Sequence, residues 1–277
     1  MKQLLSPELA RDQLIAQLSA LGRVISVELQ SAIGKILAAP ISSNVDLPPN
    51  DIAMMDGYAI RATDIGQALP VTHRIAAGDL ADFTLAEGEA CRIFTGAMIP
   101  DGVDSVVRQE DATQADNFVR FTEQASPYRH IKRKGSDIAT GQTILTAGTR
   151  LTPAHIALCA SIGLDQLPIY QPLHIALMVT GSELVNPGQP LPQGKIYNSN
   201  YAMIYALLVQ SGFKVTAFNN VEDNLPATVS ALQQAIATAD IVITTGGVSV
   251  GEEDHVRKAI NQLGEISIWQ VDMKPGR

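Results

Sequence analysis

His174-Ile175-Ala176-Leu177-Met178-Val179 is an unbroken apolar run that ends in Thr180-Gly181-Ser182-Glu183. A run of that length closed by a glycine turn reads as a strand buried on both faces. Beyond it the chain alternates regularly. The spacing predicts a helix from about Asn200 to Gln210, with Ile204, Leu207 and Leu208 on one face. Phe213 to Phe218 reads as the next strand, and Pro226 opens a helix lined on one side by Leu225, Val229, Leu232 and Ile236. Asp240-Ile241-Val242-Ile243-Thr244 reads as a buried strand. A helix from about Glu252 aligns Val256, Ile260 and Leu263, and Glu265 to Val271 reads as a fourth strand. Strand alternating with helix requires a parallel sheet covered on both faces.

Ligands of such sheets bind beyond the carboxyl ends of the strands. Thr180-Gly181-Ser182-Glu183, Glu222-Asp223, the loop from Gly246 and Lys274 all fall at those ends. Gly246, Gly247, Ser249 and Gly251 lie between strand and helix, where glycines let backbone N–H groups face an anion and the helix adds its positive end. A tight turn alone explains that loop about as well. Asp223 and Asp254 are hard oxygen donors beside it that suit Mg²⁺ next to phosphate. An acid in a first helical turn equally complements the helix dipole, and most acids in so acidic a chain only solvate. Gly247-Val248-Ser249-Val250-Gly251 also matches the nucleophile elbow of serine hydrolases. Only His255 follows Ser249 in these residues, six residues on at the start of the same helix, so the hydrolase reading is rejected unless a segment past Arg277 supplies the histidine.

The first part of the chain reads differently. Ser6 and Pro7 open a helix carrying Leu14, Leu18 and Leu21, closed by Gly22. A second helical stretch runs from about Val27 to Ala38. Residues 46–139 hold short apolar runs and many turns. Gly57 permits a bend that presents Asp56. Ala90–Phe94, Ser105–Arg108 and Phe118–Phe121 read as strands of a small β domain. Thr152-Pro153 opens a helix that returns to the first part, making the β domain an insertion. Helical segments at 1–45 and 140–172 then form a linker domain, with an α/β domain over 173–277. The fold class is a multidomain α/β protein.

The 277 residues carry 46% hydrophobic and 17% charged side chains, an ordinary globular profile. The net charge of −8 argues against a nucleic-acid partner. The basic run Arg129-His130-Ile131-Lys132-Arg133-Lys134 reads as a solvated loop, although its place before Gly135-Ser136-Asp137 leaves an anion conceivable. Cys91 and Cys159 show no metal-ligand spacing and suit a reducing cytoplasm. Neither a membrane span nor a secretory leader is expected from the pattern of apolar runs.

The motifs Met55-Asp56-Gly57-Tyr58-Ala59, Phe94-Thr95-Gly96-Ala97, Gly135-Ser136-Asp137, Thr180-Gly181-Ser182-Glu183-Leu184 and Thr244-Thr245-Gly246-Gly247-Val248-Ser249-Val250-Gly251 occur in this order. Together they closely resemble the molybdopterin molybdotransferase family, the molybdenum insertases that include the E domain of gephyrin. The resemblance implies molybdenum cofactor biosynthesis: Mg²⁺-dependent insertion of molybdate into adenylylated molybdopterin, with release of AMP. It implies a cytoplasmic homodimer whose partners include a molybdopterin adenylyltransferase and recipient molybdoenzymes. It implies functional positions at Asp56, Thr95, Asp137 and Glu183, with Asp56 serving a partner subunit's site. Asp223 and Asp254 correspond to metal-associated acids, Lys274 to a molybdate-site cation, and Arg277 to a position where a second lysine is common. Thr180, Gly181 and Ser182 join the Gly246 loop as cofactor-binding residues.

Several positions depart from the family pattern. Ile52 and Ala53 stand where Asn and Ser are common, Gln270 where a cation is common, and Ser182 and Asn198 where acids are frequent. The family pattern also continues past Arg277, through the rest of the α/β domain and a C-terminal β domain, so a truncated insertase is expected. It would bind the nucleotide-pterin and handle molybdate poorly. The alternative is a non-catalytic pterin-binding or dimerising fragment. An adenylyltransferase is a weaker option, because the Asp56 motif within an inserted β domain marks the insertase arm.

Overall fold

The computed structural model describes residues 5–122, 124–246, 255–268 and 271–272. By contact the chain divides into two units, Ser26–Ile169 and Met1–Ile25 with Tyr170–Arg277.

Within Ser26–Ile169 the outgoing and returning chain segments pair rung by rung. Ile36 bridges Arg150, Ile41–Ser42 pairs with Thr143–Leu145, Leu47 bridges Ile138, and Ile52–Ala53 pairs with Ile131–Lys132, all antiparallel. Leu37, Leu145, Leu151, Cys159, Leu167 and Ile169 form the core of this ribbon, which includes residues of the helix Pro153–Ser161. Thr152 caps that helix and Pro153 starts it, as the sequence predicts. Val27 to Ala38 is not a helix. The β-branched run Val24–Glu28 is a strand, and only Leu29–Ala32 makes a 3₁₀ turn.

Between the two arms of the ribbon lies a mixed six-stranded sheet. Its strands are β1 (Gly57–Ile60), β2 (Leu69–Ile75), β3 (Ala90–Ile93), β4 (Ser105–Arg108), β5 (Ala112–Ala115) and β6 (Phe118–Phe121). Their spatial order is β4-β1-β3-β2-β6-β5. Strand alternation sorts side chains to two faces. Tyr58, Ile60, Leu69, Ala90, Val107 and Val119 pack in one cluster. Ala59, Ile75, Cys91, Ile93 and Val106 pack in another. Both faces of β1 are therefore buried, and Asp56 is held by a strand rooted in two cores.

Gly57 is required there by space, not by a turn. A Cβ at this position would lie 1.9 Å from the Val107 carbonyl oxygen of the neighbouring strand. Gly57→Ala is expected to cost roughly 3 kcal/mol, because the atom in the way is backbone and cannot swing aside. A urea titration checks this, and an unchanged midpoint would mean that β1 and β4 part easily.

The second unit contains a three-stranded parallel sheet. Strand β7 (His174–Thr180) lies between β8 (Lys214–Val221) and β9 (Ile241–Thr245). Helix α1 (Ser199–Gln210) links β7 to β8, and α2 (Leu225–Thr238) carries the chain past β7 to β9. Helix α3 (His255–Leu263) follows. Met178, Leu232, Val256 and Ala259 form the core on the α2 and α3 face, with Phe218 and Val242 against them.

Two expected helix faces are narrower than predicted. Leu208 is buried whereas Leu207 is 59% exposed, and Ile236 is 56% exposed beside the buried line Thr228, Leu232 and Ala235. Neighbouring helix positions point about 100° apart, so one apolar residue faces the sheet and the next does not. The N-terminal helix Pro7–Gln17 is capped by Ser6 but stops short of Gly22, and Leu14, Leu18 and Leu21 are all exposed. The fourth strand expected over Glu265 to Val271 does not form over its described part, and Trp269 and Gln270 lie outside the described residues. Glu265–Ile268 is irregular and Val271 makes only an isolated parallel bridge to Leu5. Alternating apolar residues without a ladder partner do not make a strand.

Candidate functional site

The register of the parallel sheet aligns the loops at one edge. Thr180 is paired with Val221, and Val179 with Thr245. The residues that leave the sheet there are Gly181-Ser182-Glu183 after β7, Glu222-Asp223 after β8 and Gly246 after β9. The convergence read from the sequence is therefore present for these three loops. Gly247, Ser249, Gly251, Asp254, Lys274 and Arg277 lie outside the described residues.

Gly246 has φ +89°, and a Cβ there would sit 2.3 Å from the Thr180 carbonyl oxygen and 3.2 Å from its hydroxyl. Gly246 therefore sits against the end of β7 at a distance only glycine allows. The Thr180 hydroxyl itself is buried, in a residue 3% exposed, and has no hydrogen-bond partner among the described residues. An orphaned buried hydroxyl costs about 1–3 kcal/mol, which a ligand supplying a partner recovers.

Gly181 has φ +147°, and its missing Cβ leaves room for the Glu183 carboxylate, whose Oε2 would lie 2.7 Å from that atom. The rest of the β7 loop is tied down. Lys195 Nζ donates to the Ser182 carbonyl at 2.5 Å, and the Ile196 N–H donates to the Glu183 carbonyl at 2.9 Å. Leu184–Val185 pairs in parallel with Ile196–Tyr197. Asn198 then caps α1 by accepting from the Tyr201 N–H at 3.0 Å. Its amide suits an N-cap as well as an acid would. Glu183 and Asp223 are both exposed, on loops that leave neighbouring strands. Hard carboxylate oxygens at such an edge have the donor chemistry for Mg²⁺ shared with a phosphate. Among the described residues no group of three or more His, Cys, Asp or Glu side chains could hold a metal by itself.

The other expected residues lie in the Ser26–Ile169 unit, around the strand Ile52–Ala53. The Ala53 N–H donates to the Ala97 carbonyl at 2.9 Å, and the Gly96 N–H donates to the Ala53 carbonyl at 2.8 Å. The same strand pairs with Ile131–Lys132 on the segment that leads to Asp137. Three distant motifs thus meet on one short strand. Ala53 is itself a core residue, 1% exposed.

Asp56 and Thr95 form a direct pair. The carboxylate accepts from the Thr95 N–H at 2.8 Å and from its hydroxyl at 2.7 Å. These bonds, with Arg92 nearby, hold the Asp56 carboxyl below its ordinary value of 3.8. A depressed folded value means the pair contributes fully above that ordinary value and is lost as pH falls through the lower one. Thr95→Ala is therefore expected to move the Asp56 carboxyl titration upward, toward 3.8. Carboxyl-carbon NMR measures it, and an unmoved titration would show that Thr95 does not hold the acid.

The basic run is paired with acids. Lys132 Nζ meets Asp137 at 2.6 Å, Arg133 Nε meets Asp51 at 3.0 Å, and Lys134 Nζ meets Asp46 at 3.6 Å. Its local charge is largely balanced, so the conceivable anion there has weak support. Cys91 and Cys159 are buried, and desolvation pushes the Cys91 thiol up to about 11.

These features define an α/β unit whose loops gather at strand carboxyl ends, accompanied by a β-rich unit with its own ordered acid. Residues 5–163 match the family described as MoeA N-terminal region (domain I and II). Residues 176–277 match the family described as Probable molybdopterin binding domain. The molybdopterin molybdenumtransferase of Haemophilus influenzae is 35% identical over 277 residues, covering 99% of this chain and 69% of that protein. The molybdopterin molybdenumtransferase of Nostoc sp. is 40% identical over 259 residues, covering 91% of this chain and 59% of that protein. A crystal structure of a molybdopterin biosynthesis MoeA protein from Pyrococcus horikosii superposes with a TM-score of 0.87 at 27% identity, covering 99% of this chain and 70% of that one. The chain belongs to the MoeA family, whose curated relatives are named as molybdenumtransferases of molybdopterin. It spans 69% and 59% of the lengths of those two relatives. No described helix is long and apolar enough to cross a membrane.

Proposed function

We propose that this chain acts in molybdenum cofactor biosynthesis, inserting molybdate into adenylylated molybdopterin with release of AMP. The observation that carries the reading is the edge at Thr180, Asp223 and Gly246, where a buried hydroxyl without a partner among the described residues lies under a glycine that permits close backbone approach. The nucleotide phosphates would lie along the Gly246 loop, with Gly181 and Ser182 on the opposite side of the ligand. Asp223 and Asp254 would hold Mg²⁺, which offsets the charge that develops on phosphate oxygens when bound. Glu183 would share in that role or orient water. Lys274 and Arg277 would meet molybdate, a dianion suited to paired cations. Asp56, Thr95 and Asp137 would complete a site in a homodimer. The exposed Leu9, Leu14, Ile15 and Leu18 of the N-terminal segment supply apolar surface for a second copy.

The test is release of AMP from adenylylated molybdopterin, with and without molybdate, by this chain and by one extended past Arg277. Molybdate-dependent release supports the insertase. Binding without release from either chain favours a non-catalytic pterin-binding or dimerising role.

A further inference from the structure

One charged residue threads the corner that presents Asp56 and belongs to none of the motifs. Arg92 lies on β3, whose neighbouring residues Cys91 and Ile93 are fully buried. Its Nη1 donates to the Gly57 carbonyl at 2.9 Å. Its Nη2 donates to Gln109 Oε1 at 2.6 Å. The Gln109 N–H in turn donates to the Asp56 carbonyl at 3.0 Å. The guanidinium lies 5.1 Å from the centroid of the Tyr58 ring and 4.7 Å from that of Phe94. Tyr58 follows Gly57, and Phe94 precedes Thr95. One planar group therefore touches the chain on both sides of the Asp56–Thr95 pair.

We infer that Arg92 is a positioning residue: its guanidinium clamps the two segments that carry Asp56 and Thr95 and fixes the geometry between them. The inference deepens the functional reading of Asp56 and rests on it for relevance to turnover, but not for the geometry. A fork that bonds a carbonyl and an amide at once is something lysine cannot reproduce, since an ammonium offers a point charge without the plane. Stacking on two rings adds to that preference for arginine. Arg74 makes a useful contrast. Its guanidinium also lies 4.7 Å from the Phe94 centroid, but it does not bridge the Asp56 and Thr95 segments as Arg92 does.

The test compares Arg92→Lys, Arg92→Met, Gln109→Leu and Arg74→Met in the 277-residue chain. Two readouts are followed, the Asp56 carboxyl titration with the Thr95 amide resonance, and the rate of AMP release. Arg92→Lys keeps the charge but is expected to shift the Thr95 amide and raise the Asp56 titration. In steady-state kinetics it is expected to lower kcat about tenfold with KM within about twofold, the pattern of a misplaced group and not of lost substrate binding. Gln109→Leu is expected to follow in the same direction, and Arg74→Met to leave all readouts near the parent. If Arg92→Met misfolds, Arg92→Lys and Gln109→Leu still decide the matter. An unmoved Thr95 amide and Asp56 titration in Arg92→Lys overturn the inference, as does an equal effect of Arg74→Met. Shifted resonances, with no AMP released by this chain or by one extended past Arg277, uphold the clamp and reject the insertase reading instead.

Discussion

Gly246→Ala is expected to lower affinity for adenylylated molybdopterin by about 100-fold or more. A side chain at φ +89° is strained, and its Cβ would lie 2.3 Å from the Thr180 carbonyl oxygen. The backbone at Gly246 must lift away from β7 to relieve that overlap. Lifting it exposes the Thr180 hydroxyl to water and withdraws the backbone from any phosphate. A left-handed residue costs about 1–2 kcal/mol and a displaced contact about 1–3 kcal/mol, and each 1.4 kcal/mol is tenfold in binding. Calorimetry measures the affinity, with circular dichroism reporting that the sheet persists. Affinity within twofold of the parent would remove this loop from the site.

Asp223→Asn is expected to slow AMP release roughly 100- to 1000-fold while weakening nucleotide binding far less. Asp223 is exposed at the end of β8, where replacing it disturbs no core. An amide keeps the shape but gives up the charge that a metal needs. Charge stabilisation at a developing leaving group is of that size in other sites. Single-turnover rates at saturating Mg²⁺, beside calorimetric affinities, separate the two effects. Equal rates in the variant and the parent would show that Asp223 only solvates the loop.

The α/β part of the fold was legible because its signal is local. An apolar run such as His174–Val179 and a proline-opened helix such as that at Pro226 each declare themselves over a few residues. Strands β7, β8 and β9 and helices α1, α2 and α3 lie where the pattern places them, with boundaries shifted by a few residues. Glu265–Ile268 failed because strand formation needs a neighbour, which periodicity does not supply. Val27–Ala38 failed because apolar spacing outweighed a β-branched run. At Gly57 the local pattern indicates a bend, whereas the requirement for glycine comes from Val107, fifty residues away in the chain and adjacent only through the sheet.

The strand-end loops were legible as a group, since parallel sheets place them together by topology. The details of individual contacts were not. That Asp56 bonds Thr95, or that Lys132 faces Asp137, depends on the register of Ile52–Ala53 against two other segments. Arg92 carried one sequence signal, a charge between two apolar residues of a strand, which marks an outward position without saying what it meets. The basic run carried a misleading signal, because its partners Asp46 and Asp51 lie some eighty residues earlier.

The central claim is that the edge at Thr180, Asp223 and Gly246 is built for a phosphorylated pterin. The most direct measurement is a calorimetric titration of the folded 277-residue chain with adenylylated molybdopterin, run with and without molybdate. The account predicts saturable binding at one site per chain in both runs, weakened by Gly246→Ala. A silent titration with a folded chain, or binding that Gly246→Ala leaves untouched, would contradict it.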